Sequence, residues 1–195
     1  MHDTATTVNL LVSEVGRAAK ELDYEAIERI TTALHECGNG TVFCSGAGTS
    51  GIVARKVAHT LNCAGRPAVF LDPAEALHGG TGVLREGDVV ILFSKGGETD
   101  ELLQMIPVMH ERRTRTIAVT MEDSGSLARN CDDVLILPEV EEADAGNVIA
   151  TTSILVMIVA FDGIAMSLMK RSGYSLESFA KTHPGGAVGK RLNRE

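Results

Sequence analysis

The chain has 195 residues, of which 44% are hydrophobic and 23% charged, a composition typical of a soluble globular chain long enough for one domain with a substantial core. A formal net charge of −8 argues against a basic surface that binds the phosphate backbone of nucleic acids, so we expect no nucleic-acid partner. The four cysteines show no metal-ligand spacing, the N-terminus lacks a signal-peptide pattern, and the longest apolar run, 154–160, is too short for a membrane span. We therefore expect a cytoplasmic protein with reduced cysteines and no membrane contact.

Two helices are predicted ahead of the first strand. Apolar residues recur at helical spacing twice between residues 5 and 38. Asp23 is placed to cap the second of these helices, and Gly38 is placed to end it.

A glycine- and hydroxyl-rich loop follows the first predicted strand, within TVFCSGAGTSG at 41–51. A helix is predicted from Ile52 to Ala64, because apolar residues recur there at helical spacing. The first amides of a helix have no internal partners and lie at the positive end of its dipole. We therefore expect this loop to bind a phosphate, held at Gly48, Thr49 and Ser50.

Two other interpretations of this loop remain open. Gly46, Gly48 and Gly51 fit the pattern G-x-G-x-x-G, and Asp72 lies about twenty residues further on, as in the dinucleotide fingerprint of an NAD-dependent oxidoreductase. Alternatively, the glycines serve only a tight turn with positive φ. The two hydroxyls of the loop favour a terminal phosphate over the pyrophosphate of a dinucleotide.

Strands and helices alternate through the rest of the chain. Further strands are predicted at 68–71, 88–93, 116–120 and 133–137, and helices around 102–109, 124–130 and 146–169. The strands are too apolar to have a solvent-facing side, which is typical of a parallel sheet covered on both faces. We expect an α/β fold: a doubly wound, five-stranded parallel sheet of the flavodoxin-like kind, in the order 2-1-3-4-5. The predicted single domain comprises two N-terminal helices, an α/β core and a C-terminal tail, at 5–38, 41–172 and 173–195.

A second loop of the same kind, SKGGET at Ser94–Thr99, follows the third strand. In the order 2-1-3-4-5 the first and third strands are neighbours, so their loops flank one crevice at the carboxyl ends of the strands. The second loop would then hold the same phosphate as the first, through Ser94, Lys95, Gly96 and Thr99. A long polar link at 72–87 contains His78, and a link of this length inside a compact domain indicates function.

Three stretches of the chain resemble the arabinose-5-phosphate isomerase family of the SIS (sugar isomerase) domain. They are GAGTSGIVARK at 46–56, DPAEALHG at 72–79 and FAKTHPGGAVGKRL at 179–192, and the likeness covers essentially the whole chain. The resemblance implies the SIS fold, a phosphosugar as the ligand, and no metal or organic cofactor. It also implies that the phosphate is held by Ser50, Ser94 and Thr99, and that the sugar is surrounded by Glu101, Glu142, His78 and His183.

The resemblance also bears on assembly and regulation. It implies a homotetramer in which His183 or His78 reaches a neighbour's site. Many longer members of the family continue into a pair of regulatory CBS modules after the His-Pro-Gly-Gly segment. Because this sequence stops at Glu195, we expect a short form without that control.

Two positions depart from the family pattern. Family members with isomerase activity usually have Lys where this chain has Thr49, and a second Ser in the other loop, where this chain reads Ser94-Lys95-Gly96. Lys95 is a candidate to replace the missing cation. Glucosamine-phosphate members of the wider group have Gly-Thr-Ser in the first loop, so Thr49 is compatible with phosphate binding. The departures leave the exact sugar open.

Aldose–ketose isomerisation moves a proton between C1 and C2 through a cis-enediol, so it needs a base, an acid and a fixed phosphate. We expect Glu142 or His183 to be the base, the other of the pair or His78 to assist ring opening or proton transfer between oxygens, and Glu101 to orient them. Each residue also has a structural interpretation: Glu142 in a solvated acidic run, His78 and His183 in turns, and Glu101 at a helix N-terminus. The hydroxyls at 151–153 are expected to cap the long helix.

Three functions compete on this basis. The leading hypothesis is an isomerase of arabinose 5-phosphate and ribulose 5-phosphate or a related sugar phosphate. The second is a non-catalytic phosphosugar sensor that uses the same loops. The NAD-dependent oxidoreductase is the least favoured.

Overall fold

The structure, a computed structural model, describes residues 3–192, so residues 193–195 of the predicted C-terminal tail lie outside it, as do residues 1 and 2. The strands are β1 (Val42–Gly46), β2 (Ala68–Phe70), β3 (Val89–Phe93), β4 (Arg115–Thr120) and β5 (Asp133–Ile136). The helices are α1 (Thr4–Glu21), α2 (Tyr24–Glu36), α3 (Gly48–Cys63), α4 (Pro73–Leu77), α5 (Asp100–Glu111), α6 (Ser126–Asn130), α7 (Thr152–Ser172), α8 (Leu176–Thr182) and α9 (Gly186–Leu192). A 3₁₀ turn, Gly80–Val83, follows α4.

All neighbouring strands of the sheet are parallel and follow the order β2-β1-β3-β4-β5, which confirms the predicted sheet. Every residue of β1 and β3 is buried, as expected of central strands with helices on both faces. Gly46, the last residue of β1, lies in register with Phe93, the last residue of β3. The segments that follow these strands therefore leave side by side from one edge of the sheet, which we call the carboxyl edge. The strands begin at the opposite, amino edge.

Helices cover both faces of the sheet, because successive residues of a strand point to opposite sides. Val42 and Cys44 of β1 belong to the buried cluster that includes residues of α2, α3 and α7. Phe43, between them, belongs to the cluster that includes residues of α4 and α5. α1 packs on the outside of α7.

The start of α2 agrees with the sequence prediction, whereas the start of α3 does not. The carboxylate of Asp23 accepts the amide of Ala26 at 2.9 Å and so caps α2. α3 begins at Gly48 rather than at the predicted Ile52, so the glycine- and hydroxyl-rich residues form the first turn of the helix instead of a loop before it.

α7 begins at Thr152 rather than at the predicted residue 146. The carboxylate of Asp144 accepts the amides of Gly146 at 2.9 Å, Val148 at 2.9 Å and Ile149 at 2.7 Å. These bonds fold the chain into a turn, because a short acidic side chain competes with the helix for backbone amides. Hydrophobic spacing does not reveal this competition.

α7 is 21 residues long and, by length and composition alone, apolar enough to cross a membrane. Half of its most apolar window is buried inside the fold, where the helix packs against α1, α2 and α3. The Phe161 ring is buried and meets the Phe93 ring edge-on, with 5.0 Å between the ring centroids. These contacts make α7 a core helix of the α/β layers.

Replacing Phe161 with Ala should lower the free energy of unfolding by about 3–5 kcal/mol, because a buried aromatic side chain is lost and a cavity remains. Urea denaturation followed by circular dichroism measures the change. Phe161→Leu, which keeps most of the side-chain volume, is the matched control and should cost clearly less. Small and equal losses in both variants would contradict a core role for α7.

Candidate active site

The first turn of α3 forms a cradle of bare backbone at the carboxyl edge. A Cβ added to Gly51 would lie 2.5 Å from the carbonyl oxygen of Gly46, so only glycine allows the two segments to approach this closely. Gly48 has a φ of +54°, a conformation that favours glycine. Ala47, the N-cap residue, has no side chain that can bond the first amides of α3. Those amides, together with the exposed Thr49 and the half-buried Ser50, are available to an anion.

The loop after β3 presents hydroxyls beside this cradle. The hydroxyls of Ser94 and Thr99 are hydrogen bonded at 2.8 Å, and Ser94 Oγ accepts the amide of Gly97 at 3.1 Å. Thr99 is the N-cap of α5 but makes no side-chain cap bond, and Gly96 is exposed at the tip of the loop. Because β1 and β3 are neighbours, the two predicted phosphate loops lie side by side.

Lys95 is bonded to Glu142, with 2.6 Å between Lys95 Nζ and Glu142 Oε1. The Glu142 carboxylate is buried and also accepts the amides of Thr151 at 2.8 Å, Thr152 at 2.7 Å and Ser153 at 3.2 Å, as well as the Ser153 hydroxyl. Glu142 therefore caps the N-terminus of α7, where a negative charge is favoured by the helix dipole. Thr151 is the N-cap residue of α7, as expected, but its side chain makes no cap bond, and the carboxylate of Glu142 takes that role. The interpretation of Glu142 as part of a solvated acidic run is wrong.

Glu142 stays ionised well below neutral pH. Burial alone would raise its pKa, but hydrogen bonds from Lys95, the Ser153 hydroxyl and the amides of Thr151 and Ser153 outweigh burial and lower the pKa from 4.5 to about 2. A carboxylate held in this way is a weak proton acceptor at neutral pH. It is well suited to hold Lys95 and α7 in place.

Glu101 shares a cavity with the first turn of α3. The cavity has a volume of about 260 Å³, and it is lined by residues 46–48, by Gly51, Ile52 and Arg55 of α3, by Phe70 and residues 72–74, and by Glu101. Glu101 lies in the first turn of α5, directly after the hydroxyls of the second loop. The arrangement brings a carboxylate next to the cradle of backbone amides.

Neither His78 nor His183 lines the cavity that Glu101 shares with the first turn of α3. His78 ends α4, and its side chain is exposed. His183 ends α8 and stacks on Phe179, with 4.1 Å between the ring centroids. A Cβ added to Gly189 would lie 2.1 Å from the His183 carbonyl oxygen, which explains a glycine shortly after the His-Pro-Gly-Gly motif.

The direction of α7 separates His183 from the phosphate loops of its own chain. α7 starts at the carboxyl edge beside Glu142, and its 21 residues span about 30 Å at 1.5 Å per residue. Its last turn lies against the end of α3, and Tyr174 packs on Gly65 at the amino edge. α8 has only seven residues, which corresponds to about 10 Å. His183 is therefore positioned near the amino edge.

Sequence reasoning missed one side chain at the site, Arg55. It lies one turn after Gly51 on α3, a spacing that puts it on the same side of the helix as the cradle, and this spacing was the available signal. Within residues 3–192, no group of three or more His, Cys, Asp and Glu side chains has the arrangement of a metal site.

A family model for the SIS domain matches residues 36–167 of the chain. The chain belongs to the SIS domain family. This SIS domain is similar to the arabinose 5-phosphate isomerase KpsF of Escherichia coli, with 36% identity over 191 residues that cover 96% of this chain and 60% of KpsF. The chain thus spans about 60% of the length of this relative.

Two solved structures are similar to the SIS domain along nearly its whole length. A Listeria monocytogenes protein is 35% identical with a TM-score of 0.89, and the match covers 95% of this chain and 100% of that one. An E. coli CFT073 protein in complex with A5P is 31% identical with a TM-score of 0.86, and the match covers 94% of this chain and 100% of that one. These relatives confirm the predicted family and argue against the dinucleotide interpretation of 46–51.

Replacing Glu142 with Gln should lower the free energy of unfolding at pH 7 by about 2–3 kcal/mol, because charge-assisted hydrogen bonds to the start of α7 are lost. The folded-state pKa of Glu142 is depressed, so its contribution is present above pH 4.5 and is lost as the pH falls toward 2. The pH dependence of stability between these values should be smaller in the variant. Glu141→Gln, at the exposed neighbouring position, is the control and should behave as wild type. Equal stability of Glu142→Gln and wild type at pH 7 would refute the capping role.

Proposed function

We propose that this SIS domain is a sugar-phosphate isomerase that interconverts arabinose 5-phosphate and ribulose 5-phosphate. The observation that carries the proposal is the pair of helix N-termini, α3 and α5, which present free amides and hydroxyls side by side at the carboxyl edge. The name of KpsF and the A5P bound to the CFT073 protein support the choice of substrate.

The proposed mechanism begins with the phosphate. The amides of the first turn of α3 and the hydroxyls of Ser50, Ser94 and Thr99 bind it, with Thr49, Lys95 and Gly96 at the border of the same site. Binding energy from this non-reacting group holds C1 and C2 of the open-chain sugar against the proton-transferring side chains. The phosphate is thus the handle that positions the substrate.

We propose that His183, rather than Glu142, is the base that removes the carbon-bound proton. The low pKa of Glu142 supports this choice, because a weakly basic carboxylate is a poor acceptor for that proton. Imidazole is the side chain that ordinarily exchanges protons near neutral pH. In this scheme His183 moves the proton between C2 and C1, while Glu101 and His78 serve the oxygens during ring opening and enediol formation.

A site that uses His183 needs a second copy of the chain, because His183 lies near the amino edge of its own subunit. Exposed apolar side chains on the surface of α7, Leu155, Val159 and Met166, are available for contact between copies. We propose a cytoplasmic homotetramer in which the C-terminal segment of one subunit completes the site of another.

Incubation with arabinose 5-phosphate in deuterated water tests turnover. The wild-type protein should introduce deuterium at C2 of the substrate, observed by NMR, because the enediol exchanges that proton. Ser94→Ala should lower kcat/KM about tenfold or more, since a hydrogen bond to a charged group is lost. Thermal stabilisation by the sugar phosphate without deuterium uptake would indicate the non-catalytic sensor instead.

Mixing two impaired variants tests the shared site. Ser94→Ala and His183→Ala oligomers, dissociated and reassembled together, should show more activity than either variant alone, because some sites then combine an intact loop with an intact His183. A mixture of Ser94→Ala with Thr99→Ala, two residues of one loop, should show no such gain. If the first mixture also shows no gain while both variants assemble normally, the shared site is wrong.

A further inference from the structure

We infer that Arg55, rather than Lys95, supplies the positive charge that binds the phosphate of the substrate. The inference rests on the proposed function, because it assigns a role within the same site. The first turn of α3 contains the uncharged Thr49 and Ser50, so a positive side chain at the phosphate has to come from another position. Arg55 is the only basic side chain among the described residues that line the 260 Å³ cavity beside the first turn of α3.

Contacts on two sides hold the guanidinium of Arg55 in place. Its Cζ lies 3.6 Å from the centroid of the Phe70 ring, so the planar group rests on an aromatic face. One Nη atom lies 3.5 Å from the Asp72 carboxylate. Stacking fixes the plane of a guanidinium and leaves the N–H groups at its edge free to bind oxygen atoms. The side chain is thus preorganised for a planar, bidentate contact with a phosphate.

The bond between Arg55 and Asp72 is weak enough to yield to a ligand. At 3.5 Å it is at the limit of hydrogen-bond distance, and the Arg55 side chain remains 61% exposed. An exposed ion pair of this kind contributes little to stability. A doubly charged phosphate can therefore take over the N–H groups at little cost, while Phe70 keeps the guanidinium in position.

Lys95 is held much more firmly. Its ammonium lies 2.6 Å from a Glu142 carboxylate whose side chain is fully buried. If Lys95 turned to a phosphate, it would leave a buried charge with fewer partners, which is costly. Lys56, the residue after Arg55, is likewise bonded to Asp162 of α7. Of these three cations, Arg55 is the one that a phosphate can recruit without breaking a short ion pair.

The charges around the cavity favour the same assignment. The amides at the start of α3 form one positive wall, and Arg55 forms a second. The lining also includes the carboxylates of Asp72 and Glu101, which suit the hydroxyls of a sugar rather than its phosphate. A volume of about 260 Å³ is below the range of about 300–1,000 Å³ typical of larger organic ligands, and so suits a small phosphorylated sugar.

Calorimetric titration with inorganic phosphate and with arabinose 5-phosphate tests the inference. Arg55→Ala should weaken binding of both ligands about tenfold to a hundredfold, the loss expected for a charge-assisted hydrogen bond. Arg55→Lys should recover part of the affinity, because the charge returns without the planar geometry. Arg113→Ala, which removes an exposed arginine at the amino edge, is the matched control and should bind as wild type. Thermal unfolding checks that each variant is folded.

Wild-type affinity in Arg55→Ala would overturn the inference, and an accompanying loss of affinity in Lys95→Met would assign the charge to Lys95. Either result is compatible with deuterium exchange by the wild-type protein, so the proposed isomerase would survive it. Conversely, Arg55-dependent binding of both ligands without any deuterium exchange supports the inference while refuting the isomerase.

Discussion

The parallel pairing of β1 with β3 is the constraint on which the candidate site depends. It sets Gly46 in register with Phe93, so that the helices following both strands begin next to each other. The N-termini of α3 and α5 then bring two positive dipole ends and their free amides to one place. Neither end is neutralised by a side chain of its own N-cap residue. An anion that binds between the two helices can accept hydrogen bonds from the amides of both first turns. Neither helix alone offers as many donors.

The parallel sheet covered on both faces could be predicted from sequence, because apolar runs such as Val89–Phe93 have no solvent-facing side and alternate with helical patterns. The predicted start of a helix was wrong where a side chain distant in the sequence determines it. Glu142 caps α7 through amides that lie nine to eleven residues further along the chain, beyond any local capping pattern. Asp144, by contrast, acts locally: its carboxylate accepts amides two to five residues further along and turns a stretch with helical spacing into a loop.

The candidate site, too, could be predicted only in part from the sequence. The glycines and hydroxyls of the two loops could be recognised, since they belong to short local motifs beside strand ends. The contacts of each charged side chain could not be predicted, because they depend on which helices and strands become neighbours in the fold. Arg55 meets Phe70 only because β2 lies next to β1, and Lys95 meets Glu142 only because the start of α7 lies beside the end of β3. Arg55 and Lys95 both lie close to the phosphate loops, but only Arg55 is held weakly enough to bind a ligand.

The direction of α7 connects the proposed chemistry to assembly. α3 and α7 pack together and both run from the carboxyl edge to the amino edge, so the chain that follows α7 emerges on the side away from the phosphate loops. α8 and α9 are short and pack chiefly on each other, with His183 at their junction. If His183 carries the proton, one subunit has the phosphate loops and another has the base. Turnover then requires the assembled protein, whereas phosphate binding does not, because every loop contact belongs to a single chain.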